Sequence, residues 1–242
     1  MKTWTTFVFV LLFLFTLSAC GAPPAAGGEE EVLLTNGESG GLQEEPPAFD
    51  PLVPASQAVD PQWFADAAFV GDSVSVMLEL YNGSAGALGT PAFFCAESLS
   101  QTNALSYTAG NPRLPEYPKG SGPKKVYLML GMNCISGGVD RACQDLVTLV
   151  GEIQARLPDT AILIESVTPM TADSPRADGA LNNTTIQAFN DQMKQICQEK
   201  EWYFVNIAEA VSDENGFLRA DFSGDKAMGI HFNYSGAEAW AN

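Results

Sequence analysis

Hydrophobic residues fall along this chain in two rhythms. Compact apolar runs at residues 67–70, 125–130, 161–166 and 203–207 are each bounded by Gly, Pro or polar turn residues. Runs this short and continuous predict strands buried on both faces. Between them the spacing changes. Leu146, Val147, Leu149, Val150, Ile153 and Leu157 recur at helical intervals, as do Ile186, Phe189, Met193, Ile196 and Cys197. That period predicts amphipathic helices laid on a sheet, and residues 74–81 predict another helix directly after the first strand. Strands separated by helices imply parallel pairing through right-handed crossovers, hence an α/β fold built as a three-layer α/β/α sandwich.

The first sixty residues follow a different pattern. Lys2 precedes an apolar stretch over residues 7–17, about a dozen residues and too short for a helix to cross a bilayer core of roughly 30 Å. It predicts a secretory signal over residues 1–20. The stretch closes on Leu17-Ser18-Ala19-Cys20, which resembles a bacterial lipobox. The resemblance implies lipidation of Cys20 and anchoring at the outer face of the cell membrane, the alternative being an ordinary secreted protein cut near Ala19. Residues 21–62 are rich in Gly, Ala, Pro and Glu, with eight acids and no Lys or Arg. Such a composition lacks the apolar surface to offset the entropy of ordering, and predicts a tether. A single domain is expected over residues 63–242.

Charge and cysteine usage remove several function classes. The chain carries 12 Lys+Arg against 29 Asp+Glu, a formal net charge of -17. Without its first sixty residues it retains 21 acids against 11 bases. No basic stripe exists to follow a phosphate backbone, so nucleic acid is not an expected partner. Cys20, Cys95, Cys134, Cys143 and Cys197 are scattered and His231 is the only histidine, which excludes a paired-cysteine zinc site. Cys143 and Cys197 fall on apolar helix faces and are expected to act as small buried hydrophobes.

Three residue sets lie where a parallel sheet gathers its chemistry, at the carboxyl ends of strands. Gly71-Asp72-Ser73 follows the first strand, Gly131-Met132-Asn133 follows the strand at 125–130, and Gly229-Ile230-His231 lies near the C-terminus. A serine hydroxyl needs an imidazole to take its proton, and the resulting oxyanion needs donors aimed at it. Ser73 would sit at a helix N-terminus, where the backbone N–H and the helix dipole favour negative charge. Asn133 can offer a neutral side-chain N–H. His231 is the sole imidazole available as base. Each set also has a plain structural reading: a helix cap for Ser73, a loop contact for Asn133, a surface or core histidine for His231. Asp72 is expected to hold the turn rather than react.

Taken in order, these sets resemble the motif blocks of the GDSL or SGNH hydrolase family over residues 69–240: Phe69-Val70-Gly71-Asp72-Ser73, Leu130-Gly131-Met132-Asn133 and Gly229-Ile230-His231-Phe232-Asn233. The resemblance implies a flavodoxin-like parallel sheet and ester hydrolysis through an acyl-enzyme. Ser73 would be the nucleophile, His231 the base and then the acid, and Asn133 with the Ser73 amide the oxyanion donors. It implies no metal or organic cofactor. Three departures stand out. Met228 occupies the place of the aspartate three residues before the histidine, Cys134 replaces the aspartate of the asparagine block, and the block that supplies an oxyanion glycine is not distinct. Gly131 and Ser98 are the loop candidates for that last role. Two arrangements could orient His231 without the usual aspartate. Either a carboxylate of the same loop, Asp225 or Asp221, folds back with residues 226–228 bulging outward, or a backbone carbonyl near Met228 accepts the ring N–H. The carbonyl is the favoured expectation.

The activity so implied is a serine esterase that removes a short acyl group, such as acetyl, from a carbohydrate or small ester, at a membrane surface reached through the lipid anchor. The alternatives are a catalytically weakened lipoprotein that keeps the fold as a ligand-binding or scaffolding module, and an O-acyltransferase.

Overall fold

The structure, a computed structural model, describes residues 48–106, 121–176 and 179–242. The expected signal, Cys20 and most of the tether lie outside the described residues. Five strands, β1 (Ala67–Gly71), β2 (Ala92–Cys95), β3 (Lys125–Met129), β4 (Ala161–Glu165) and β5 (Tyr203–Val205), form one sheet in the order β2-β1-β3-β4-β5. Every pairing is parallel. Helices α1 (Ser73–Ala85), α2 (Val139–Arg156), α3 (Asn183–Lys200), α4 (Ile207–Val211) and α5 (Tyr234–Ala241) cover it, with α1 packed on α5 and α2 packed on α3. This is the three-layer α/β/α arrangement with a flavodoxin-like sheet that the strand and helix rhythm predicts.

Every residue of β1 is buried, as are Val126 and Leu128 of β3 and Ile162 and Ile164 of β4, which is why these segments read as unbroken apolar runs. β2 carries the shorter apolar run Phe93-Phe94-Cys95, which lies outside the runs that predict strands. It is a four-residue edge strand whose Ala92 and Phe93 are only half-buried, so the run is too short to be told from a loop by length alone. Phe69 ties it to the centre, stacking on Phe93 and Tyr127 at ring separations of 5.3 and 4.6 Å.

Described residues before the expected boundary at residue 63 already pair with the sheet. Pro51 is buried, Leu52 bridges to Phe204 in parallel, and the backbone bonds Phe204 N to Pro51 O (2.7 Å) and Val53 N to Phe204 O (2.9 Å) extend the sheet past β5. The last part of the acidic segment therefore covers an edge that would otherwise expose unpaired N–H and C=O groups. Composition misses this because the pairing uses backbone atoms.

From β1 the chain crosses to β2 on one side, and it returns to β3 on the other. The loops leaving β1 and β3 thus diverge, and a crevice opens between them at the carboxyl edge of the sheet. Ser73 follows β1 and Asn133 follows β3, so the topology alone brings two of the three candidate sets to one crevice.

Candidate active site

The turn from β1 into α1 is built by three residues. A Cβ on Gly71 would lie 1.9 Å from Ser75 Oγ, so only glycine lets the first turn of the helix sit against the strand end. Asp72 is the N-cap, and its Oδ1 accepts the Val74 amide at 3.0 Å. It is 1% exposed; burial pushes its carboxyl up to about 6, against the lowering influence of the Val74 amide and of His231. Asp72 therefore holds the turn, as expected. Ser73 follows as the first helical residue, half-buried, with its hydroxyl displayed at the helix N-terminus.

After β3 the chain makes a second tight turn. The Gly131 carbonyl accepts the amides of Cys134 (2.7 Å) and Ile135 (3.0 Å), which turns Asn133 outward to the surface. A Cβ on Gly131 would lie 2.6 Å from Val167 Cγ2 and 2.9 Å from Phe189 Cε1. Gly131 is thus a close-packing residue that allows the turn. Asn133 Nδ2 donates to the Leu99 carbonyl at 2.9 Å, which ties it to the loop after β2. That loop is fixed to the end of β1 by Ala96 N donating to Gly71 O at 3.1 Å. Within it Ser98 adopts φ +62°, a left-handed conformation that glycine favours, held by Asn103 Nδ2 donating to its carbonyl at 3.1 Å. The candidates Asn133 and Ser98 therefore belong to two adjoining loops.

The third set closes the site across the fold. Ser223 and Phe232 form an antiparallel bridge, and Gly224 N donates to the His231 carbonyl at 2.9 Å. Buried Ile230 and Phe232 flank His231 and pin it. Its Nε2 lies 3.0 Å from Ser73 Oγ, a contact spanning 158 residues of sequence. Its Nδ1 lies 2.6 Å from Asp225 Oδ2.

That last distance corrects the favoured expectation of a carbonyl acceptor. The Met228 carbonyl accepts the Ser174 hydroxyl at 2.6 Å, and the ring nitrogen is turned to the carboxylate instead. Asp225 reaches it because residues 226–228 loop outward: its backbone carbonyl accepts Gly229 N at 2.8 Å and its Oδ1 accepts Met228 N at 2.9 Å. Burial would raise the Asp225 carboxyl. The His231 ring N–H and the Met228 amide outweigh that, and the group lies below the ordinary carboxylate range. It is therefore charged, which favours a proton on Nδ1 and leaves Nε2 as acceptor for the serine hydroxyl. The other carboxylate considered, Asp221, is engaged elsewhere, its oxygens receiving Arg219 Nε at 3.1 Å and Nη2 at 2.6 Å.

Sequence reasoning missed the residues that hold this loop. Ser174 bonds Met228, and Thr171 N donates to the Gly229 carbonyl at 2.9 Å. Both are more than fifty residues from their partners, and no local spacing signals them. Thr168 and Met170 of the same connection are fully buried, while Pro169 lines a groove of about 350 Å³ with Asn183, Asn190 and Asn206; Ser73, Asn133 and His231 do not border it. Cys143 and Cys197 are buried thiols, each pushed up to about 12 by that burial. They pack as small hydrophobes.

A hydroxyl, an imidazole and a carboxylate in line at the carboxyl edge of a doubly wound parallel sheet define a serine hydrolase. The chain belongs to the GDSL-like lipase/acylhydrolase family, whose pattern matches residues 69–239, and it is a hydrolase of that type. No curated protein sequence matches it. Solved structures share its fold at low identity. A GDSL-like lipase from Bacteroides thetaiotaomicron is 17% identical with a TM-score of 0.56, over 77% of this chain and 88% of its own. A carbohydrate acetylesterase family member from Sinorhizobium meliloti is 12% identical with a TM-score of 0.52, over 72% and 92%. A carbohydrate esterase family 3 protein from Talaromyces cellulolyticus is 17% identical with a TM-score of 0.50, over 72% and 91%.

Proposed function

We propose that this protein is an esterase that removes a short acyl group from a carbohydrate or small ester, with Ser73 as nucleophile. The observation that carries this reading is the unbroken line from Ser73 Oγ through His231 to Asp225, at 3.0 and 2.6 Å. The hydroxyl attacks the ester carbonyl while Nε2 takes its proton. Asp225 holds the imidazole in the required tautomer and stabilises the imidazolium. As the first residue of α1, Ser73 has a backbone N–H among the four that a helix leaves without an intrahelical acceptor. That amide, with the second Nδ2 hydrogen of Asn133, is suited to the developing oxyanion, and the Ser98 amide in the loop that Asn133 contacts is the third candidate donor. His231 then returns the proton to the departing alcohol. Water repeats the sequence on the acyl-enzyme and frees the acid.

The fold shared with structures named as carbohydrate esterases supports a sugar ester as substrate. Export and lipid anchoring at Cys20 would place the enzyme at the outer face of the cell membrane, among surface polysaccharides. The test is turnover of a chromogenic acetyl ester and of acetylated oligosaccharides by the purified chain. Release of acetate that Ser73→Ala abolishes is the expected result; an equal rate in that variant would refute the nucleophile. Fatty-acid labelling lost in Cys20→Ala tests the anchor.

A further inference from the structure

The catalytic line leaves one deeply buried acid unused. Glu165 ends β4 at 4% exposure, and its Oε1 accepts the indole N–H of Trp240 in α5 at 3.1 Å. Among the described residues no ion pair involves it. Its charge acts on Cys95 of β2 and Tyr127 of β3, neither of them a cation. Asp72 and Glu79 of α1 add negative charge to the same layer. A glutamine would accept the same hydrogen bond without the desolvation penalty of a carboxylate.

The contacts lead from Glu165 to the catalytic line in two steps. The Trp240 ring stands edge-on to Phe232, with centroids 5.9 Å apart at 76°. Phe232 is 1% exposed and directly follows His231. From the same stretch, Asn233 caps α5 by accepting the Gly236 amide at 3.1 Å, and its own amide N donates to the Phe222 carbonyl at 2.9 Å. The imidazole is thus carried on a short segment whose far side is seated against Trp240, and Trp240 is fixed to the sheet by one hydrogen bond to Glu165.

We propose that Glu165 is a positioning residue: by holding the Trp240 indole it fixes the seat of Phe232 and so the direction of the His231 ring toward Ser73. The kinetic part of this inference rests on the esterase reading; the spectroscopic part does not. Because His231 is the only histidine, the full chain labelled with ¹⁵N-histidine yields a single imidazole signal. In the unaltered protein the Nδ1-bound proton is shifted downfield by Asp225. Glu165→Met and Trp240→Phe are expected to broaden that proton or move it upfield, and to lower kcat about tenfold with KM changed less than twofold. Glu165→Gln, which still accepts from the indole, is expected to restore the signal and most of kcat. Thermal melting establishes that each variant is folded. If Glu165→Met fails to fold, Trp240→Phe decides, since it keeps an aromatic ring and removes only the donor and part of the bulk. Folded Met and Phe variants with an unaltered imidazole proton overturn the proposal, as does a Gln variant that behaves like the Met variant. If the unaltered chain turns over no ester, the esterase reading fails alone and the proton signal still tests Glu165.

Discussion

The two ends of the catalytic line are built in opposite ways. At the serine end everything is local: strand, glycine, capping aspartate and nucleophile occupy consecutive positions, and the turn between β1 and α1 is specified by a close approach at Gly71 and one Asx cap. At the histidine end almost nothing is local. His231 sits on a loop that owes its shape to Ser174 and Thr171 from another part of the chain, to Asp225 six residues back, and to a seat formed by α5. A local device is set by residue order and tolerates change elsewhere. A nonlocal one inherits the packing of the whole domain, so substitutions far from the reacting atoms are expected to act through the imidazole and not through the serine.

The largest expected effect tests the serine end. Ser73→Ala removes the nucleophile and should lower kcat by about 10⁴-fold or more, with the melting temperature nearly unchanged because Ser73 is only the first residue of the helix and Asp72 supplies the cap. A variant that lost stability as well would show that the hydroxyl also holds the histidine loop closed.

Next in size is Asp225→Asn, which removes the charge that stabilises the imidazolium and favours the wrong tautomer. A loss of kcat on the order of 10³- to 10⁴-fold is expected, while Asp221→Asn, which breaks only an exposed pair with Arg219, should leave the rate within twofold. Equal small losses in both would return the orienting role to a backbone carbonyl. The sign of the Asp225 shift adds a pH expectation. Its carboxyl is lowered in the fold, so its contribution is present above the ordinary carboxylate range and is lost only as pH falls through the depressed value. Titration of Asp225 should therefore be absent from the activity profile at neutral and mildly acidic pH.

A smaller effect concerns the floor beneath the histidine end. Burial raises Glu165 from 4.5 to about 7, so the folded state holds its proton where the unfolded chain has lost it. The acid thus favours folding fully below about 4.5 and progressively less as pH rises through 7. Glu165→Gln should flatten that decline and stabilise the protein at pH 8 by roughly 2 to 3 kcal/mol, measured by denaturant unfolding at several pH values. A parallel loss in both proteins would place the charge elsewhere. Smallest is Ser174→Ala, which frees the Met228 carbonyl and should reduce stability by about 1 kcal/mol and kcat by about fivefold. An unchanged rate would mean that Asp225 alone suffices to hold the loop.

Most of the fold was legible in the pattern of apolar positions, because strands buried on both faces and helices with one apolar stripe leave distinct periods. β2 escaped, being a four-residue edge strand with two half-buried residues. The backbone pairing of Leu52 with Phe204 escaped because it uses atoms that every residue carries. In the site, Ser73, Asn133 and His231 were legible as residues of the right chemistry at strand ends. The partner of His231 was legible only as a choice between a carboxylate and a carbonyl, and the expectation favoured the wrong one. What decided it was Ser174, bonded to Met228 across 54 positions.

By itself the sequence determined the class of fold, the turn that presents Ser73, and the fact that any imidazole base must be His231, since these depend on periodicity, on neighbours along the chain and on a count of one. Only the tertiary structure decided that Asp225 meets the ring, that the Met228 carbonyl is engaged by Ser174, and that Glu165 lies beneath the helix that seats the histidine. Those outcomes depend on which distant groups share a few ångströms of space, and hydrogen bonds and desolvation act over just that range.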